Sequence, residues 1–211
     1  MFTDRIDAGQ RLAKTVRRFE AAHPLVLALP RGGVVVGAAL AQALRCDFDV
    51  LLVKKLRAPG NPELALGAIC EAGHCYVNPQ VQYITGANQA YLDHEIAERQ
   101  AEIAAQQKLY RAVKPKIPTA GRVVLLVDDG LATGATMITA IQVVALTQPQ
   151  KLVVAVPVSP PDTLEKLAKM KGVDEVVCLE TPDWFTGVGQ FYENFTQVDD
   201  DEVAKLLRQF V

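Results

Sequence analysis

Five short apolar runs punctuate the chain, at Leu25 to Leu29, Val50 to Val53, Val123 to Val127, Leu152 to Val156 and Glu175 to Leu179. The central ones show no polar alternation, as expected of strands covered on both faces of a parallel sheet. Between them the spacing turns helical. Helices are expected from Asp4 to about Ala21, Val34 to Leu44, Tyr91 to Val113, Thr136 to Leu146, Asp162 to Met170 and Asp199 to Phe210. Leu66 to Cys70 and Cys75 to Val77 read as a hairpin turning at Glu71, Ala72 and Gly73. Strand and helix alternate, which predicts an α/β fold: a parallel sheet with helices on both faces.

The Tyr91 helix carries Asp93, Glu95 and Glu98 early and Lys108, Arg111 and Lys114 late, the order that complements a helix dipole, and Pro115 and Pro118 end it. Leu92, Ile96, Ile103, Leu109 and Tyr110 give it apolar contacts. A helix packed on the sheet with a solvated outer face is favoured over a lid or a dimer contact. Composition narrows the class. The chain has 211 residues, 50% hydrophobic and 22% charged, enough for the core of one domain over 1–211. A net charge of -2 leaves no broadly basic surface for nonspecific nucleic-acid binding. Met1 to Glu20 holds no apolar secretory core and no run reaches membrane-spanning length, so a cytoplasmic protein is expected.

The four cysteines, Cys46, Cys70, Cys75 and Cys178, include no C-x-x-C pair, and reduced thiols are expected. Cys70, His74 and Cys75 fit the hairpin turn better than a metal cluster.

Candidate chemistry concentrates after the third run, where Asp128 and Asp129 are followed by Gly130, Leu131, Ala132, Thr133, Gly134, Ala135 and Thr136. Carboxylates at the carboxyl end of a strand, followed by a small-residue turn into a helix, place acid beside free N–H groups and a positive dipole end. A Walker-type loop is excluded because Ala135, not Lys, follows Gly134. A receiver domain does not fit either, because its acids come near the domain's start. A capped strand-to-helix turn without a ligand explains one acid but not two. Two further strand ends carry related chemistry. Pro30, Arg31, Gly32 and Gly33 follow the Leu25 run, and Lys54, Lys55 and Arg57 follow Val53 and lead into Pro59, Gly60, Asn61 and Pro62, a loop signature. Each suits an anion and each could be a solvated turn; together they favour a diphosphate-bearing ligand.

Val124 to Thr136, VLLVDDGLATGAT, resembles the phosphoribosyl pyrophosphate (PRPP) signature of type I phosphoribosyltransferases. The resemblance implies a Rossmann-like core with a small hood. It also implies that Asp128 and Asp129 hold the ribose hydroxyls while Ala132, Thr133, Gly134, Ala135 and Thr136 wrap the 5-phosphate. Pro30, Arg31, Gly32 and Gly33 resemble the family's pyrophosphate loop, and Lys54 to Gly60 its mobile closing loop, with Lys54, Lys55 and Arg57 in catalytic roles. The family reaction displaces pyrophosphate at the anomeric carbon of PRPP by a nitrogenous acceptor such as a nucleobase, with Mg²⁺ bound mainly through PRPP and no all-protein metal site. By analogy a homodimer in nucleotide salvage is implied.

About 1–22 and 180–211 are the expected hood and about 88–114 a helical insertion. Trp184 and Phe185, in a cluster with Phe191, Tyr192 and Phe195, are the candidates to stack a base, the alternative being packing of the last helix. One departure bears on the acceptor. Enzymes that salvage 6-oxopurines place an Asp just before the Thr-Gly of this loop, where this chain has Ala132, so the spelling resembles adenine-type enzymes instead. A PRPP- or nucleotide-sensing regulator with little catalysis remains the alternative, and a PRPP synthetase is weaker because no further cradle for ATP is visible.

Overall fold

The computed structural model describes residues 1–211, the side chain of Glu63 excepted. In chain order the elements are α1 (Arg5–Val16), β1 (Leu25–Ala28), α2 (Gly32–Leu44), β2 (Asp47–Val50), β3 (Val53–Ala58), β4 (Asn61–Cys70), β5 (Cys75–Val77), α3 (Pro79–Thr85), α4 (Gln89–Arg111), β6 (Val123–Val127), α5 (Ala135–Ala145), β7 (Lys151–Val158), α6 (Pro161–Ala168), β8 (Glu175–Glu180) and α7 (Asp200–Arg208). Short 3₁₀ turns occupy Arg17–Ala22 and Val188–Phe191.

Strands β2, β1, β6, β7 and β8 lie side by side in that order, all parallel. Side-chain alternation divides the apolar runs between two cores. Val26, Ala28, Val123, Leu125, Val127, Val153 and Ala155 face one core, shared with Leu12 and Val16 of α1, Val34 and Leu40 of α2, and Val203 and Leu207 of α7. Leu27, Leu29, Val124, Leu126, Leu152, Val154 and Val156 face the other, with Met137, Ile141 and Val144 of α5 and Leu167 of α6. A strand buried on both faces has no use for polar alternation, so the runs read as unbroken hydrophobe.

The Val50 to Val53 run is not one strand. β2 stops at Val50 in the parallel sheet, and Val53 opens β3 in a separate antiparallel sheet ordered β3, β4, β5. The expected loop at Lys54 to Pro62 is also corrected: Lys54, Lys55 and Arg57 lie on β3, Asn61 and Pro62 begin β4, and Pro59 and Gly60 make the turn between them. Pairing of Lys54 with Ile69 and Lys55 with Ala68 satisfies the backbone, and Leu56 and Ala58 bury on the core side, which local charge and Pro/Gly content conceal. The predicted hairpin of β4 and β5 is present, with Gly67 opposite Val77 and Ile69 opposite Cys75. Helix α3 was not foreseen, although Asn78 caps it by accepting from Gln80 N and Val81 N and Pro79 opens it.

The first residues of the chain and the segment after β8 touch: Met1 N pairs with Glu180 Oε1 at 2.9 Å, Asn194 N donates to Thr3 O at 3.0 Å, and Arg5 Nη1 donates to Thr196 O at 2.8 Å. Helix α1 packs on α2 and against β7 and β8, and α7 packs on α2 and α4. Phe2 and Tyr192 pair as a bridge and join Phe185, Val188 and Phe191 in a small apolar cluster of their own. No helix of the described residues is long and apolar enough to cross a membrane.

Candidate active site

The parallel order makes β1 and β6 neighbours while the chain leaves them in opposite directions, to β2 on one side and to β7 on the other. Such a switch point opens a crevice at the carboxyl ends of the two strands. Leu29 N donates to Val127 O at 2.9 Å, so the Pro30 to Gly33 turn and the Asp128 to Thr136 turn leave the sheet side by side. The Pro30–Arg31 peptide bond is cis.

The start of α2 touches the acid pair. A Cβ on Gly32 would sit 1.9 Å from Asp129 Oδ2, and one on Gly33 would sit 2.8 Å from Asp128 Cα. Any larger residue would push the helix start off the carboxylates. Asp128 Oδ1 accepts from Asp129 N at 2.9 Å, Asp129 Oδ2 accepts from Arg5 Nε at 2.8 Å, and the Tyr192 hydroxyl donates to Asp129 O at 2.6 Å. Burial lifts the Asp128 carboxyl well above the usual carboxylate range, and the charge of Asp129 adds to the rise. Burial lifts Asp129 as well, opposed by the Arg5 guanidinium.

Beyond the acids, Leu131 N donates to Val158 O at 2.9 Å and Thr163 Oγ1 donates to Ala132 O at 2.8 Å, tying the turn to β7 and α6. Gly134 takes φ of +69° and opens α5 without a side-chain cap. Ala135 N meets Thr133 Oγ1 at 3.4 Å, and the amides that follow it at the start of α5 can face an anion with the helix dipole behind them. Asp128 and Ala132 to Thr136 line a cleft of about 250 Å³ that also takes in Val188. A larger cleft of about 610 Å³ brings Pro30, Arg31, Lys54, Lys55, Ala135 and Thr136 together with Gln106 of α4.

Arg57 stands apart from these residues. Its Nε donates to Glu95 Oε1 at 3.0 Å, its Nη2 to Glu98 Oε2 at 3.0 Å, and its backbone N to Glu95 at 3.0 Å, so α4 holds it away from the cleft. Lys54 Nζ lies 3.5 Å from Glu102 Oε2 on the same helix. Trp184 is 89% exposed, whereas Phe185 stacks on Phe191 with centroids 5.4 Å apart.

A family model described as a phosphoribosyl transferase domain matches residues 3–196. The chain belongs to the phosphoribosyl transferase family. "Putative phosphoribosyl transferase Rv0571c" of Mycobacterium tuberculosis strain H37Rv is 42% identical over 207 residues, as is its counterpart in strain CDC 1551. The alignment covers 98% of this chain but 46% of each relative, so the chain spans less than half the length of those curated relatives. TT1426 from Thermus thermophilus, a solved structure, is 43% identical with a TM-score of 0.92, covering 100% of this chain and 99% of that one. A Neisseria gonorrhoeae protein crystallised with ppGpp shares the fold at 14% identity and a TM-score of 0.52. The fold is thus the α/β fold of type I phosphoribosyltransferases.

Sequence reasoning missed the contacts made by Arg5, Thr163, Glu95 and Tyr192. Arg5 had a signal: the buried stripe of α1 runs Arg5, Ala8, Gly9, Leu12, Ala13, Val16, and a charge on the apolar face of an amphipathic helix asks for a buried partner. The others act through contacts between segments distant in sequence and leave no local pattern.

Proposed function

We propose that the chain transfers the 5-phosphoribosyl group of PRPP to a nitrogenous acceptor, a nucleobase, and releases pyrophosphate. The observation that carries this reading is the convergence at one switch point of an acid pair, an uncapped helix start and a cationic rim of Arg31, Lys54 and Lys55. In the reaction the bond from the anomeric carbon to the diphosphate oxygen breaks and a bond to an acceptor nitrogen forms. The diphosphate leaves with the electron pair, the acceptor nitrogen gives up its proton to the departing diphosphate, and positive charge develops on the ribosyl ring. Asp128 and Asp129 take the ribose hydroxyls and lie close to that charge, the amides and hydroxyls of 132–136 bind the 5-phosphate, and Pro30 to Gly33 with Lys54 and Lys55 receive the diphosphate. Arg57 joins them once it is released from Glu95 and Glu98. Closure of the β3–β4 hairpin would exclude water.

The carboxylates of Asp128 and Asp129 beside the phosphate cradle would suit a hard cation such as Mg²⁺ arriving with PRPP. When bound, the ion offsets charge on the diphosphate. Ala132 offers no carboxylate to a ring nitrogen, which weighs against a 6-oxopurine and toward an adenine-like acceptor. Trp184, with Phe185 beside it, is the proposed stacking surface. About 1–22 and 180–211 form the proposed hood.

The test is pyrophosphate release from PRPP and Mg²⁺ across a panel of nucleobases. Turnover with one base, abolished in Asp128→Asn plus Asp129→Asn, is expected; an unimpaired double variant overturns the assignment. The capture of Arg57 by Glu95 and Glu98 favours one second reading, a PRPP or nucleotide sensor. Binding without turnover on every base would support it.

A further inference from the structure

The reading of Asp129 as half of a ribose clamp leaves open what aims its carboxylate. Arg5, at the first position of α1 and only 8% exposed, is placed by Asp4, whose Oδ1 caps the helix by accepting from Asp7 N at 2.8 Å. From there its guanidinium is held on three sides. Nε donates to Asp129 Oδ2 at 2.8 Å, Nη1 donates to Thr196 O at 2.8 Å, and the plane lies over the Phe195 ring with Cζ 3.8 Å from the centroid. Asp129 is 15% exposed on its side chain and Arg5 10%, so solvent screens this pair weakly. Gly32 leaves the space the pair occupies, since a Cβ there would meet both Asp129 Oδ2 at 1.9 Å and Arg5 Nε at 3.0 Å.

We infer that Arg5 is a positioning residue of the ribose site: it occupies Oδ2 of Asp129, leaves Oδ1 to the ligand and offsets the negative charge that Asp129 presents to a phosphorylated sugar. This rests on the PRPP reading and goes beyond it, because the site then depends on both ends of the domain. Arg5 brings α1, and Thr196 and Phe195 bring the segment after the second 3₁₀ turn. A planar fork is required, since one ammonium cannot serve Asp129 and Thr196 together while stacking on Phe195.

The experiment measures binding of two probes by calorimetry at fixed ionic strength: ribose 5-phosphate, which needs the clamp, and inorganic phosphate, which needs only the 132–136 cradle. Arg5→Met is expected to weaken ribose 5-phosphate by about tenfold, the size set by losing a charge-assisted hydrogen bond, and to leave phosphate within about twofold. Arg5→Lys, which retains the charge and fills most of the space, is expected to fall between Arg5→Met and the parent. If both probes weaken together, Arg5 is merely structural; if neither changes, it is idle; either result overturns the inference. Should Arg5→Met not fold, the same ratio in Arg5→Lys decides. A parent protein that binds neither probe overturns the PRPP reading itself, which is a distinguishable failure.

Discussion

Asp128 sits where its charge is least welcome, half-buried beside a second carboxylate with the Arg5 cation spent on its neighbour. A carboxyl whose folded pKa lies above its unfolded value holds its proton more tightly in the native state. Stability is therefore greatest below the unfolded value near 4 and falls as pH rises toward the folded one. Asp128→Asn keeps an Oδ1 acceptor for Asp129 N and removes the charge. It is expected to stabilise the protein at pH 7 by about 1 kcal/mol, raising the thermal midpoint by ~2–4 °C, with the gain vanishing toward pH 4. Calorimetric scans of both proteins across that range check this, and a variant less stable at pH 7 contradicts the assigned burial cost. The acids themselves were readable because strand end, acid pair and small-residue turn are contiguous in sequence. Arg5 was not, since 124 residues separate it from Asp129.

At the scale of elements, a buried ion-pair triad joins pieces that share no sheet. Arg111, ending α4, donates Nη1 to Asp49 Oδ1 of β2 at 2.6 Å and Nη2 to Glu71 Oε1, just past β4, at 2.6 Å. Both carboxylates are 1% exposed on their side chains, and Asp49 also accepts from Ile117 N at 2.9 Å. Arg111→Met would strand two buried acids. The expected loss is about 3–5 kcal/mol, read from urea unfolding; a loss under about 1 kcal/mol contradicts the assigned role. Periodicity found the central strands and long helices to within a few residues, because burial on one or both faces imprints itself on composition. It misread β3, where Lys54, Lys55 and Arg57 alternate with Leu56 and Ala58. That stretch is a strand only because β4 folds back to pair with it.

Across the whole molecule, the clefts at the switch point join segments from residue 29 to residue 188, and a ligand that bridges them should couple to global unfolding. At a hundredfold excess over its Kd, PRPP with Mg²⁺ is expected to add about 2.7 kcal/mol, or ~5–10 °C in midpoint for a chain of this size. Asp128→Asn plus Asp129→Asn should abolish the shift; an unchanged midpoint in the parent protein speaks against a PRPP site. The sequence by itself determined the alternating α/β plan, the acid pair and the small-residue turn after it, because each is a short-range pattern set by burial periodicity, backbone freedom and charge. Only the tertiary structure decided that β1 and β6 stand together at the switch point, that Arg57 is held by α4, and that Arg5 reaches Asp129. Those depend on strand order and on ion pairs between segments tens to hundreds of residues apart, where only three-dimensional packing selects the partner.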